Sequence, residues 1–421
     1  MFVGPIPPLF DKINKLGAFS SLRSLYVHEE DLKGPLPRSI FAPNLEAFEY
    51  SGRCGGSESK VAANFLRAVI LQTRCLTYLS MAGIFTASTF DILPPLPNLK
   101  HLALDGCICS ITRYALSLKT LETLELGHTG IVIASPPPFV FGSLTELRIR
   151  STFEHAKTIL DAIRTPSLVR LYLSGWVMEP RIGTVDVDVA AVIQGFLRNN
   201  QQHARDKLRT LHISVQCSST VTAALSLHLG SFDLKCLEHL DSLRIQAPLC
   251  ISMSELESSL TTQPHWSNLQ RMNLFDISVD SQLSIVALAL IARSCFNLVQ
   301  LKIGISCWDH SGVEDAMQHA GTLGQHHSLE ELIFYRLPDS SYSPRSVNML
   351  SSFLDTLFPD LITLRYQPYF PTSFPKELRW IWWYLVRDEW KSHQSRRRDG
   401  LVRNLHSISR RTPPSPNTPA Y

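Results

Sequence analysis

One pattern returns along the chain, apolar-x-x-apolar-x-apolar, and it restricts the fold more than any other feature of the sequence. It stands at Leu22, Leu25, Val27, at Leu45, Phe48, Tyr50, at Leu76, Leu79, Met81, and at Leu99, Leu102, Leu104. It continues through Leu121, Leu124, Leu126, then Leu144, Leu147, Ile149, then Leu168, Leu171, Leu173, and then Leu208, Leu211, Ile213. The second half adds Leu240, Leu243, Ile245; Leu269, Met272, Leu274; Leu298, Leu301, Ile303; Leu329, Leu332, Phe334; and Leu361, Leu364, Tyr366. These are thirteen copies, at steps of 22 to 40 residues. A single copy carries no information in a leucine-containing chain. A long series at near-regular steps is a repeat.

The last two apolar positions of each copy lie two residues apart, so in a strand they share a face. A strand of that length cannot bury its face alone, but parallel strands stacked side by side share one continuous core. Between strands the chain returns on the other side of that core. The mean step of about 28 residues falls in the range of the leucine-rich repeat. The expected fold is therefore α/β: a leucine-rich-repeat solenoid, or horseshoe. Its parallel β-sheet lines the concave side, and its helices and loops lie on the convex side. Short steps leave room only for a loop or a 3₁₀ turn, and early connectors are proline-rich, as in Leu93-Pro94-Pro95-Leu96-Pro97. Later connectors read as helices. Val347–Leu357 places Leu350, Phe353, Leu354 and Leu357 at helical spacing, and Leu283–Ala292 is a continuous apolar run. Lys60–Gln72, Thr152–Ile163 and Val187–Leu197 are three more expected helices. Pro or Asn precedes several first leucines, as in Pro43-Asn44-Leu45 and Pro97-Asn98-Leu99, and this reads as the turn that aims the chain into each strand.

The expected organisation is a short N-terminal cap over residues 1–20, a solenoid of about thirteen irregular repeats over 21–373, an aromatic capping helix over 374–394, and a basic, Pro-rich flexible tail over 395–421. The capping helix is read from Trp380, Trp382, Trp383, Tyr384 and Trp390, whose rings are suited to closing the open end of a core. The tail holds Arg396-Arg397-Arg398 and Arg410-Arg411, which read as a solvated segment, a nuclear-import signal or a phosphate contact.

Hydrophobic residues make up 44 % and charged residues 18 %, which excludes a wholly disordered chain. A net charge of +3 gives no global field favouring nucleic acid or an anionic membrane. The longest apolar runs fall well short of the ~18–20 residues that span a bilayer. The first residues lack a basic n-region, so no secretory signal is read there. The nine cysteines are odd in number and scattered, which fits a reducing, intracellular site, cytoplasmic or nuclear. No phosphate loop, dinucleotide fingerprint, zinc-protease motif or nucleophile elbow is present. The chain is accordingly expected to be non-enzymatic, without catalytic residues, cofactor or metal. The paired His326-His327 reads as exposed polar side chains in a connector, and Asp309-His310 beside Trp308 lacks a nucleophile.

Residues between the apolar anchors point away from the core. One column reads Tyr26, Glu49, Ser80, Ala103, Glu125, Arg148, Tyr172, His212, Arg244, Asn273, Lys302, Ile333, Arg365. A second, two residues earlier, reads Ser24, Ala47, Tyr78, His101, Thr123, Glu146, Arg170, Thr210, Ser242, Arg271, Gln300, Glu331, Thr363. The first five repeats carry no cation in either column. From Arg148 onward there is a candidate partner-binding stripe of Arg148, Arg150, Arg170, Tyr172, His212, Arg244, Arg271, Asn273, Lys302 and Arg365. Arg and Tyr are the side chains that anchor interfaces. The expected partner is an acidic segment of another protein, bound by a monomer, with no nucleic acid and no membrane involved.

The irregular repeats, their lengthening toward the C-terminus, and the closing segment Arg387-Asp388-Glu389-Trp390 with Leu401-Val402-Arg403-Asn404-Leu405-His406-Ser407-Ile408 resemble the leucine-rich-repeat part of F-box proteins, above all the large fungal set. The resemblance covers roughly residues 20–410. It implies substrate reception for a cullin-based ubiquitin ligase, in which the repeats hold the target and F-box helices hold the adaptor subunit. Pro5-Ile6-Pro7-Pro8-Leu9 does not match the Leu-Pro-x-Glu-like opening of an F-box. The F-box itself is thus expected to be missing, and an adaptor is a partner only where an F-box exists outside this chain. The alternative reading is a stand-alone repeat scaffold or regulator, for example of a small GTPase.

Overall fold

The computed structural model describes residues 20–28, 42–52, 67–73, 75–83, 96–106, 118–127, 139–177, 207–217, 239–247, 266–276, 283–305, 327–336, 344–367 and 376–409, with isolated positions between them. Each triplet sends its last two anchors into a short strand. The strands are β1 (Ser24–His28), β2 (Ala47–Ser51), β3 (Tyr78–Ala82), β4 (His101–Asp105), β5 (Thr123–Gly127), β6 (Phe139–Val140), β7 (Glu146–Arg150), β8 (Ile163–Arg164), β9 (Arg170–Val177), β10 (Thr210–Cys217), β11 (Ser242–Ala247), β12 (Arg271–Asp276), β13 (Gln300–Gly304), β14 (Glu331–Arg336) and β15 (Thr363–Tyr366). All except β6 and β8 follow one another in chain order in a thirteen-stranded sheet, while β6 and β8 pair separately. The described pairings are parallel and, apart from a shift at Ile303 and Gly304 of β13, in register, so that Leu124, Leu147 and Leu171 stand beside one another, as do Leu126, Ile149 and Leu173. This is the α/β leucine-rich-repeat solenoid that the spacing predicts. The helices are α1 (Phe153–Ala162), α2 (Val286–Ser294), α3 (Pro344–Leu357) and α4 (Lys376–Ser409). The chain forms two compact units, one of Met1–Cys250 with Phe275–Val279, the other of Ile251–Leu274 with Asp280–Tyr421.

In the first unit all three anchors of every triplet from Leu45 onward are buried. Each such leucine stabilises the fold by roughly 1.5–3 kcal/mol. Leu22, Leu25 and Val27 are only half-buried, because β1 stands at the end of the strand order. The residue just before the first leucine ties repeats together. Asn44 donates from its side-chain amide to the Ser20 carbonyl at 2.7 Å, and the Thr120 hydroxyl donates to the Pro97 carbonyl at 2.7 Å. The backbone adds a second tie. In most repeats the carbonyl just before the strand accepts from two successive N–H groups of the next repeat, as Glu122 does from Thr145 and Glu146. α1 occupies the predicted stretch after β7. It starts at Thr152, whose hydroxyl accepts from the His155 N–H at 3.4 Å, and it buries Phe153, Ala156, Ile159 and Leu160. Phe153 closes over Gly175 of β9. A Cβ there would lie 2.6 Å from the Ser151 carbonyl oxygen and 2.7 Å from the Phe153 ring, so only glycine fits. Of the expected helix over 60–72, positions 65 and 67–72 are helical. Of that over 187–197, only isolated positions are described.

The second unit uses the same devices. Asn297 donates to the Ser267 carbonyl at 2.6 Å, and Ser328 donates to the Phe296 carbonyl at 2.8 Å. α2 is buried nearly all round, from Ala287 to Ala292. α3 buries Leu350, Phe353, Leu354 and Leu357, the helical stripe read from the sequence. His327 departs from expectation. It is buried at 4 % exposure, not a surface residue. Its Nδ1 accepts from the Leu329 N–H at 3.1 Å, and its ring meets Phe358 edge-on at 5.2 Å. Burial lowers its pKa to about 4, with the Cys295 backbone pulling the other way. His326, Asp309 and His310 lie outside the described residues.

The C-terminal helix is longer than expected. α4 runs through Lys376–Ser409, where the sequence reading ends the helix at 394 and begins a flexible tail at 395. The physical reason lies in partners that the local composition hides. Gln394 donates to the Leu361 carbonyl at 2.7 Å, Arg397 pairs with Asp355 of α3, and Arg396 reaches Glu389 about two turns back on the same helix face at 2.9 Å. Two members of the Arg triplet thus pair with carboxylates. Trp383 packs on Phe334 and Tyr366 at 5.8 and 5.7 Å, Trp390 is buried, and Ser351 of α3 donates to the Val386 carbonyl at 3.0 Å. The Trp380 and Trp382 side chains lie outside the described residues.

Candidate interaction surface on the open face of the sheet

The alternation that buries the anchors turns every other residue outward. In the first unit the register sets these outward residues in rows. One row is Glu125, Arg148, Tyr172, His212 and Arg244, and the neighbouring row holds Glu146, Arg170, Thr210 and Ser242. Neighbouring members of a row stand one strand spacing apart, about 4.8 Å, so side chains meet from strand to strand. Glu146 is the hub. It is 6 % exposed, receives Arg148 Nε at 2.5 Å on one oxygen and holds Arg170 Nε at 2.7 Å on the other. The Arg148 guanidinium also lies over the Tyr172 ring, 4.8 Å from its centre. Tyr172 meets His212 edge-on at 5.9 Å. Arg150 pairs with Glu125 at 2.8 Å.

His212 is not a cation at neutral pH. Burial lowers its pKa to about 4, and Arg244 beside it adds to the effect. Its Nε2 is buried and makes no hydrogen bond among the described residues. Arg244 is exposed and donates to the Gln246 side chain at 3.4 Å. Further along the same face, Tyr78 and His101 stack at 4.5 Å, and burial lowers the His101 pKa, with Glu125 opposing.

Six of the ten expected site residues (Arg148, Arg150, Arg170, Tyr172, His212, Arg244) therefore stand in the first unit. Arg271, Asn273, Lys302 and Arg365 stand in the second. There Arg271 is exposed, Lys302 is half-buried, Asn273 has a buried Oδ1 without a hydrogen bond among the described residues, and Arg365 stands 3.8 Å from Glu331. Glu331 also receives the Gln300 amide. A tally of cations misses this pairing. Glu125, Glu146 and Glu331 sit in the very columns that hold the arginines, and their spacing is the signal that exposes them. Among the described residues no group of three His, Cys, Asp or Glu side chains is placed to hold a metal ion, and no helix is long and apolar enough to cross a membrane.

No protein-family model matches this chain, and no curated protein matches it. Solved structures do. An internalin from Listeria monocytogenes aligns at 16 % identity and a TM-score of 0.42, over 83 % of this chain and 82 % of its own. TLR13, from a TLR13–ssRNA13 complex, aligns at 16 % identity and a TM-score of 0.43, over 78 % of this chain and 41 % of its own. The leucine-rich-repeat-containing protein LegL7 from Legionella pneumophila aligns at 13 % identity and a TM-score of 0.28, over 87 % and 97 %.

Proposed function

We propose that this chain is a non-enzymatic protein-interaction module, and that the open face of the first unit docks its partner. The observation that carries this reading is the way Glu146 anchors two arginines while Tyr172 backs one of them. Long cationic side chains normally lose rotamer entropy on binding. Here part of that cost is met in the free protein, on strands that packing holds rigid. Arg and Tyr presented in this manner make effective anchors. The repeat texture adds a finer reading, that the partner is a substrate delivered to a cullin-based ubiquitin ligase whose F-box lies outside this chain.

The test is affinity purification of the full chain with mass spectrometry, beside a triple variant Arg148→Glu, Arg170→Glu, Arg244→Glu of matched folding. The expected result is a defined set of partners lost from the variant. Adaptor and cullin subunits retained in both samples support the ligase reading. An unchanged partner set in the variant removes the face from consideration.

A further inference from the structure

We infer that the β1–β4 part of the open face binds an arginine side chain of the partner, in a slot over Ala47 between Tyr78 and Glu49. This rests on the proposed docking role of that face and names one side chain that the partner brings. The slot follows from the register. Ser24, Ala47, Tyr78 and His101 stand side by side on β1 to β4, and Tyr26, Glu49, Ser80 and Ala103 form the row two residues further on. The Tyr78 and His101 rings stack at 4.5 Å with 10° between their planes, so one face of Tyr78 is covered. The other face looks toward β2, where Ala47 and then Ser24 have short side chains that leave the space beside the ring open. Among the described residues no second ring and no cation covers that face.

Glu49 closes one end of the slot, two residues along β2 from Ala47, roughly 6–7 Å at the ordinary strand rise. Its carboxylate is half-buried and has no ion-pair partner among the described residues. Burial raises the Tyr78 pKa, Ser80 opposes it, and the charge of Glu49 adds to the rise, so this carboxylate is within electrostatic reach of the ring hydroxyl. The cations at the strand starts are engaged elsewhere, Arg23 by Glu46 and Lys100 by Glu122 at 2.9 Å. Glu125, the next acid of the row, is held by Arg150. One negative charge is therefore left without a cation, beside a bare tyrosine face. A guanidinium satisfies both, because it is planar, stacks on an aromatic ring and offers a fork of N–H donors to a carboxylate. The same face already holds such a trio, with Arg148 over Tyr172 at 4.8 Å while its Nε donates to Glu146. An ammonium would gain the charge contact without the planar stack. Tyr26, 66 % exposed and next to Glu49 in its row, offers a second ring along which the arginine stem can lie.

The experiment screens the full chain against a peptide library with one fixed arginine, and against twin libraries with citrulline or lysine at that position. Hits are then measured by fluorescence anisotropy at one ionic strength. The expected result is selection from the arginine library. Its best peptide binds about tenfold better than the citrulline twin, which keeps the planar shape and loses the charge, and about threefold better than the lysine twin. Glu49→Gln, which removes the charge, and Ala47→Leu, which fills the slot, each lower its affinity about tenfold. Glu330→Gln, an exposed acid of the second unit, leaves it unchanged. Glu49→Gln is isosteric and outward on β2, so that variant is expected to melt with the parent. Equal binding of the arginine and citrulline twins overturns the inference, since the unpaired charge then contributes nothing. Equal binding of the lysine twin overturns it in favour of a contact open to any cation. Arginine peptides that bind both variants normally overturn the location. Failure of every library to bind overturns the inference, while partner capture with the triple arginine variant, whose changes lie on β7 to β11, still decides the docking role.

Discussion

Acidification should destabilise the second unit through one buried histidine. His327 is neutral in the fold, with a pKa near 4, against 6.5 for an unperturbed side chain. The sign follows from proton counting. Between those two values the unfolded chain binds a proton that the folded chain excludes, so stability rises with pH across the window. The contribution is complete above the unfolded value and is lost as pH falls toward the folded one. From pH 7.5 to 5 the linkage amounts to about 2 kcal/mol, out of about 3 kcal/mol for the whole shift at 1.36 kcal/mol per unit. Burial is the cause, opposed by the Cys295 backbone; the ring packs on Phe358, and its Nδ1 accepts from the Leu329 N–H. The assay is urea unfolding of the full chain followed by tryptophan emission, because Trp383 and Trp390 report from the second unit. His327→Asn keeps an acceptor near Nδ1 and removes the titration. The variant is expected to lose about 2 kcal/mol less than the parent over that pH range, whatever its starting stability. Parallel losses in both proteins would refute the reasoning, since the titrating group would then lie elsewhere.

Other outcomes follow from packing and charge. Gly175→Ala should cost about 1–3 kcal/mol in a chemical melt, and Phe153→Leu in the same chain should return only part of it, because the Ser151 carbonyl stays in the way. Glu146→Gln leaves Arg148 and Arg170 without their shared carboxylate. With both arginines about half exposed, the screened cost is about 1–2 kcal/mol, and it should shrink on adding salt. Leu332→Ala, inward on β14, should cost about 2–5 kcal/mol, whereas Ile362→Ala, 68 % exposed just before β15, should stay within about 0.5 kcal/mol. Thr152→Ala should lower stability by about 1 kcal/mol through loss of the α1 cap, and Thr152→Ser should restore it.

The sequence alone determined the repeat, its strands and the face each residue takes. The reason is that a strand alternates faces with a period of two, and a stacked repeat contacts mainly its neighbours. Each triplet from Leu45 onward therefore states its own burial without knowledge of distant residues. The helix at α1 and the buried stripe of α3 were legible as well, the stripe from its helical spacing. Tertiary structure decided what depends on register and long-range partners. Glu146, Arg148 and Arg170 are ordinary column members until pairing of β7 with β9 sets Arg170 directly beside Glu146. His327 reads as polar until Phe358 packs on it, 31 residues later in the chain. The length of α4 was hidden because its holds, Asp355 and Leu361, lie on other elements. Local periodicity carries the core, while charge pairing and burial of polar groups are properties of the folded neighbourhood.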